Sequence, residues 1–114
     1  MESTRQLKIA KLVQKDLGEI LQKDITDITG MYMMTTVTKV HVTKDLSQAK
    51  VYLSIFGTSD KNAGFAKVKS ATKTIRMMLS ARVRHQLRAV PELLFFLDDS
   101  LDYIEHIDDL LQND

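Results

Sequence analysis

Thr35-Thr36-Val37-Thr38-Lys39-Val40-His41-Val42-Thr43, Lys44-Asp45-Leu46-Ser47-Gln48, Ala49-Lys50-Val51-Tyr52-Leu53-Ser54-Ile55-Phe56: this run decides the fold. Its first third is dense in β-branched residues, and Val40 and Val42 alternate with Lys39, His41 and Thr43, which predicts a strand over 34–43. Ala49, Val51, Leu53 and Ile55 form one face of a second strand over 49–56. The short polar link between them predicts an antiparallel hairpin. Upstream, Leu7, Ala10, Leu12, Val13, Leu17, Ile20 and Leu21 recur at helical steps and predict a helix over 4–23, followed by a polar exit from Asp24 to Gly30. Downstream, Gly57-Thr58-Ser59-Asp60 ends the strand and offers helix caps. Residues 61–88 are helical in pattern, with Phe65, Val68, Thr72, Ile75, Leu79, Val83 and Leu87 as the core stripe. That length calls for a break, and Ser70-Ala71-Thr72 is the weakest stretch. Pro91 ends the helix and biases Val90 to an extended form. Leu93–Leu97 reads as a short buried strand. Asp98-Asp99-Ser100 then caps a final helix with Leu101, Ile104, Ile107 and Leu111 inward. The fold class is α+β, a two-layer sandwich with helices on one sheet face.

At 114 residues the chain fits one domain, 1–114, and its 44% hydrophobic content suffices for one core. The absence of cysteine excludes disulfides, Cys-ligated metal and thiol catalysis. No apolar run approaches the roughly 20 residues of a membrane span, and the start is not a secretory signal, so the expectation is a cytoplasmic protein without a membrane partner. The net charge of +1 conceals a strong polarity. All 16 Lys and Arg fall within residues 1–91 against 7 acids, a net of +9, while residues 92–114 hold 8 acids and no Lys or Arg. A basic body of this kind points to a polyanionic partner.

Four constellations bear on chemistry. None of the four glycines stands in a phosphate-cradling loop. His41, His85 and His106 lack metal-ligand spacing, so no metal and no catalytic site is assigned to them. In the acidic set Asp98, Asp99, Asp102, Glu105, Asp108 and Asp109, the first three admit a metal-dependent nuclease as a rival reading, but acids at a helix start and on a solvated face explain the set more simply. The informative feature is an acid-free basic stripe: Lys67, Lys69, Lys73, Arg76, Arg82, Arg84, His85 and Arg88. Lys69, Lys73 and Arg76 share one helix face opposite the core stripe, and Arg84 and Arg88 continue that line. Solvated faces normally mix signs, because like charges one turn apart repel. A phosphate backbone is the natural partner, and the scarcity of aromatic residues argues for backbone or shape recognition over base-by-base reading.

Arg5-x-x-Lys8-Ile9, Val40 with Asp45-Leu46-x-x-Ala49-x-Val51-Tyr52, Ile75-Arg76, Leu87-Arg88 and Pro91-Glu92-Leu93-x-Phe95-x-x-Asp98-x-Ser100 together resemble the ribosome-binding factor A family over nearly the whole chain. The resemblance implies a KH-like domain of type II order, α-β-β-α-α-β plus a C-terminal helix. It places an interhelical kink with an Ala-x-Gly pattern where other KH domains carry a GxxG loop. Ala71 falls on that Ala; the Gly position holds Lys73, which adds a cation and lacks glycine's freedom at positive φ. The resemblance also implies a non-enzymatic, monomeric factor without cofactor or small-molecule substrate. Such a factor binds the small (30S) ribosomal subunit and its 16S rRNA during late maturation, including rRNA 5′-end processing, and aids growth in the cold. The expected RNA-binding set is Lys69, Lys73, Arg76, Arg82, Arg84, His85 and Arg88. A generic KH-like RNA-binding or protein-interaction module away from the ribosome is the alternative.

Overall fold

A computed structural model of the chain describes residues 2–98. The element order is α1 (Thr4–Thr29), β1 (Met34–Val42), β2 (Gln48–Phe56), α2 (Lys61–Ser70), α3 (Thr72–Val83) and β3 (Glu92–Leu97). This is the expected α+β, KH-like α-β-β-α-α-β order. The final helix expected after Asp98 lies outside the described residues.

Local chemistry fixes α1 at both ends. Ser3 and Gln6 form a reciprocal capping box, and the Gln6 side chain also donates to the Val42 carbonyl at 2.9 Å, tying the helix start to the end of β1. The helix runs six residues past the expected end at residue 23. Its polar exit still carries Ile25, buried four residues after Leu21, and the stop comes at Gly30, whose φ of 73° closes the last turn. The inward stripe is Ile9, Ala10, Val13, Leu17, Ile20, Leu21 and Ile25, whereas Leu7 is 48% exposed.

β2 lies between β1 and β3, antiparallel to β1 and parallel to β3. The hairpin register pairs Val40 with Val51 and Val42 with Ala49. An irregularity between Val37 and Lys39 leaves Thr38 unopposed, so buried Thr35 and Val37 give way to buried Val40 and Val42 with a change of parity. Without that bulge, one of the two pairs would face solvent. On β3, Phe95 is buried at 5% exposure while Phe96, on the opposite face at 41%, stacks on Tyr52 with ring centroids 5.3 Å apart. Val68, Ile75, Leu79 and Val83 press α2 and α3 onto the same sheet face as α1 and complete the core. Gly64 lets α2 approach closely: a Cβ there would stand 2.7 Å from the Met33 sulfur.

Candidate nucleic-acid interface

The break between α2 and α3 sits at Ala71, whose φ of −96° and ψ of 11° lie in the bridge region between helical and extended backbone. Flanking hydroxyls stabilise it: Ser70 donates to the Lys67 carbonyl at 2.8 Å and Thr72 to the Lys69 carbonyl at 2.6 Å. Such side-chain bonds compete with the helical ladder and bend it. The first turn of α3 has no side-chain cap.

Three exposed cations surround this break. Lys67 and Lys73 have no side-chain partner among the described residues, and Lys69 lies over the Phe65 ring, its nitrogen 5.7 Å from the centroid. Lys73 keeps a right-handed backbone, because Leu46 alone among the described non-glycine residues has positive φ. The freedom that glycine would bring to this position is therefore not used, and the kink forms with lysine in place.

Beyond the break the stripe divides. The Arg76 guanidinium donates to the carbonyls of Val90 at 2.7 Å and Pro91 at 3.3 Å. Arg82 reaches across to α1, its Nε 3.2 Å from Asp16 and a terminal nitrogen on Glu19. The regular helix ends at Val83, with Arg84 still in right-handed backbone, so Arg84, His85 and Arg88 lie in the turn and loop that follow and not on a helix continuing to residue 88. The physical reason is closure of the sheet. The chain must return to start β3 beside Ser47, where the Glu92 amide donates to the Ser47 carbonyl at 2.9 Å. Five further helical residues would carry it roughly 7–8 Å onward along the helix axis. The Val83 carbonyl accepts from the Gln86 and Leu87 amides, which closes one last irregular helical turn, and the tethers from Arg76 draw residues 90–91 back.

The structure thus keeps Lys69 and Lys73 together at the kink, joined by Lys67. Arg76 and Arg82 are held in internal contacts. Arg84 donates to His85 at 3.4 Å, and Arg88 stands beside Arg5 and Lys8 of α1. The last grouping was not visible as a site in the sequence, although Arg5-x-x-Lys8 puts two cations one turn apart. Of the carboxylates weighed for metal binding, Asp98 accepts from the Thr38 hydroxyl at 2.6 Å, while Asp99 and Asp102 lie outside the described residues.

The comparisons agree with the fold. The family profile described as Ribosome-binding factor A matches residues 5–111. A ribosome-binding factor A from Flavobacterium johnsoniae is 50% identical over 111 residues, covering 97% of this chain and 85% of the relative. One from Clostridium botulinum is 42% identical over 114 residues, covering 98% and 96%. The crystal structure of ribosome-binding factor A from Thermus thermophilus matches the fold with a TM-score of 0.64 at 22% identity, over 81% of this chain and 94% of that one. A Thermus thermophilus homology model fitted into a cryo-EM map of a complex with 30S gives a TM-score of 0.62 at 22% identity, over 79% and 91%. The chain belongs to the ribosome-binding factor A family.

Proposed function

We propose that this chain is a non-enzymatic assembly factor that docks on the small (30S) ribosomal subunit. Its basic kink would meet 16S rRNA during late maturation, including 5′-end processing. Growth in the cold would depend on it most. The observation that carries the reading is the kink itself: exposed Lys67, Lys69 and Lys73 around an uncapped helix start, in a stretch with no acid from Ala63 to Pro91. Such a surface attracts a phosphate backbone and releases counterions on contact. Family membership and the relative seen with 30S supply the partner. The chain acts as one KH-like domain, a monomer that needs no cofactor or small-molecule substrate.

Co-sedimentation with purified immature small subunits tests it. Wild-type protein should travel with small subunits and not with large ones, and a Lys67→Ala/Lys69→Ala/Lys73→Ala variant should stay folded and remain in the supernatant. If the triple variant sediments like wild type, the kink is not the docking surface.

A further inference from the structure

At the hairpin-turn end of the molecule, Arg5 and Lys8 of α1 and Arg88 of the loop before β3 rim an open groove of about 790 Å³. Its wall is aliphatic: Leu12, Leu46 and Leu87 line it, each half-buried against the core. None of the three cations is paired with an acid among the described residues. We propose that this groove is a second RNA contact that takes one unpaired nucleotide of a single strand. The base would lie on the leucine wall and the flanking phosphates on Arg5, Lys8 and Arg88. The inference rests on the reading of this chain as an RNA-binding protein.

The chemistry matches a nucleotide on both counts. The volume falls within the roughly 300–1,000 Å³ of small-ligand sites. Apolar side chains serve as base platforms in pockets that hold extruded nucleotides. The groove's one acid, Asp45, is committed to the turn: its carboxylate accepts from Ser47 Oγ at 2.7 Å, the Thr43 hydroxyl at 2.8 Å and the Ser47 amide at 3.1 Å. Three cations face that single carboxylate, which leaves the rim net positive.

The groove is also built rigidly. The Ser3–Gln6 capping box and the Gln6 bond to Val42 fix the helix start that carries Arg5 and Lys8. Leu46 is held at a φ of 64°, a left-handed conformation that an ordinary residue rarely adopts. Strain of this kind is retained where the surroundings over-determine it, and ligand clamps are one such place. Arg76 anchors the segment that follows Arg88 and lies between the groove and the kink along the chain. An acidic peptide would meet the same charges. The Arg76 clamp, set one turn after Lys73 and bonded to Pro91 in the groove lining, holds the groove near the kink cations, and that proximity favours a nucleic-acid strand that reaches both.

The test uses the full chain and a single-stranded uridine oligomer of roughly 12 nucleotides carrying one 4-thiouridine, titrated across salt. Arg5→Ala and Lys8→Ala should each weaken binding about fivefold near 0.1 M salt and flatten the slope of log K against log salt by about 0.7. Leu87→Ala should weaken binding severalfold with the slope unchanged, because an apolar contact releases no counterion. In the wild-type protein, the thiouridine should photo-cross-link to groove residues. Wild-type affinity and slope in both cation variants, with Lys69→Ala and Lys73→Ala still impaired, would overturn the groove and leave the proposed function standing. Failure of every variant to affect the oligomer would remove both. Loss of an acidic peptide's binding in Arg5→Ala, with the oligomer unaffected, would make the groove a protein site and overturn the proposal.

Discussion

The two halves of the basic stripe carry the same charge and do different things. Before and at the kink stand three lysines, exposed and without carboxylate partners among the described residues. After it the stripe switches to arginine, and the first two arginines turn back into the protein, Arg76 onto two carbonyls and Arg82 onto two carboxylates. The residue types suit the tasks. A guanidinium is a planar fork that satisfies paired oxygens and is weakly hydrated, whereas an ammonium is a hydrated point charge on a flexible stem. A run of one sign along a sequence is therefore two objects: an exposed, unpaired cationic surface of the kind a polyanion would meet, and a set of clamps that hold α3 and the β3 approach in place.

The apolar side of α3 sets the scale on which both halves are judged. Leu79 is fully buried between the helices and the sheet. Leu79→Ala should destabilise by about 2–5 kcal/mol in denaturant unfolding, since a core truncation adds a cavity term to the lost burial. A shift no larger than that of a surface variant would mean that the stripe's charges, and not the core beneath them, hold α3. Next in size is Arg76→Ala. Charged hydrogen bonds contribute roughly 1.5–3 kcal/mol when well shielded, so with this exposed side chain the expected loss is about 1–2 kcal/mol. Arg76→Lys should recover only part of it, because an ammonium cannot match the fork. Full recovery by lysine would erase the distinction between clamp and surface.

The fold was legible because its signals are local. The hairpin follows from β-branched alternation around Asp45-Leu46, and the kink from weak helix formers at 70–72. Phe95 and Phe96, adjacent on one strand, illustrate what periodicity leaves open: alternation says that one is inside, and only the β2–β3 register selects Phe95. Two boundaries were misread for opposite reasons. The polar look of Asp24–Thr29 hid the buried Ile25 that extends α1. Helical spacing from Val83 to Leu87 suggested a longer α3, but the return to the sheet edge overrides spacing. The site was legible in type and not in membership. The sequence showed a basic surface, yet the partners that divide it, Asp16 and Glu19 for Arg82 and the Val90 and Pro91 carbonyls for Arg76, are brought together only by tertiary structure.

Arg82 offers a sharper division. Its pairs with Asp16 and Glu19 lie at the surface, where ion pairs contribute at most about 1 kcal/mol and are screened by salt. Arg82→Ala should lower stability by that amount or less at low ionic strength, and the difference from wild type should vanish near 1 M salt. It should leave RNA affinity close to wild type, since the guanidinium already faces carboxylates. A loss of binding as large as that of a kink lysine would return Arg82 to the polyanion surface.

The smallest stability effect and the clearest functional one coincide at the kink. Lys69→Ala and Lys73→Ala remove exposed charges that repel each other one turn apart, so each should move stability by no more than about 0.5 kcal/mol. Each should nevertheless weaken RNA binding about fivefold near 0.1 M salt and take about 0.7 from the salt slope, one phosphate contact apiece. Sequence preference should stay unchanged, because phosphate contacts position a strand without reading it. Lys73→Gly separates charge from backbone at the same position. The backbone there is already right-handed, so glycine gains no conformational relief and only loosens the first turn of α3, by roughly 1 kcal/mol. Its binding should fall to the level of Lys73→Ala. If Lys73→Gly binds as wild type does, the geometry of the break and not its cation makes the contact, and the comparison between the two halves of the stripe loses its functional side.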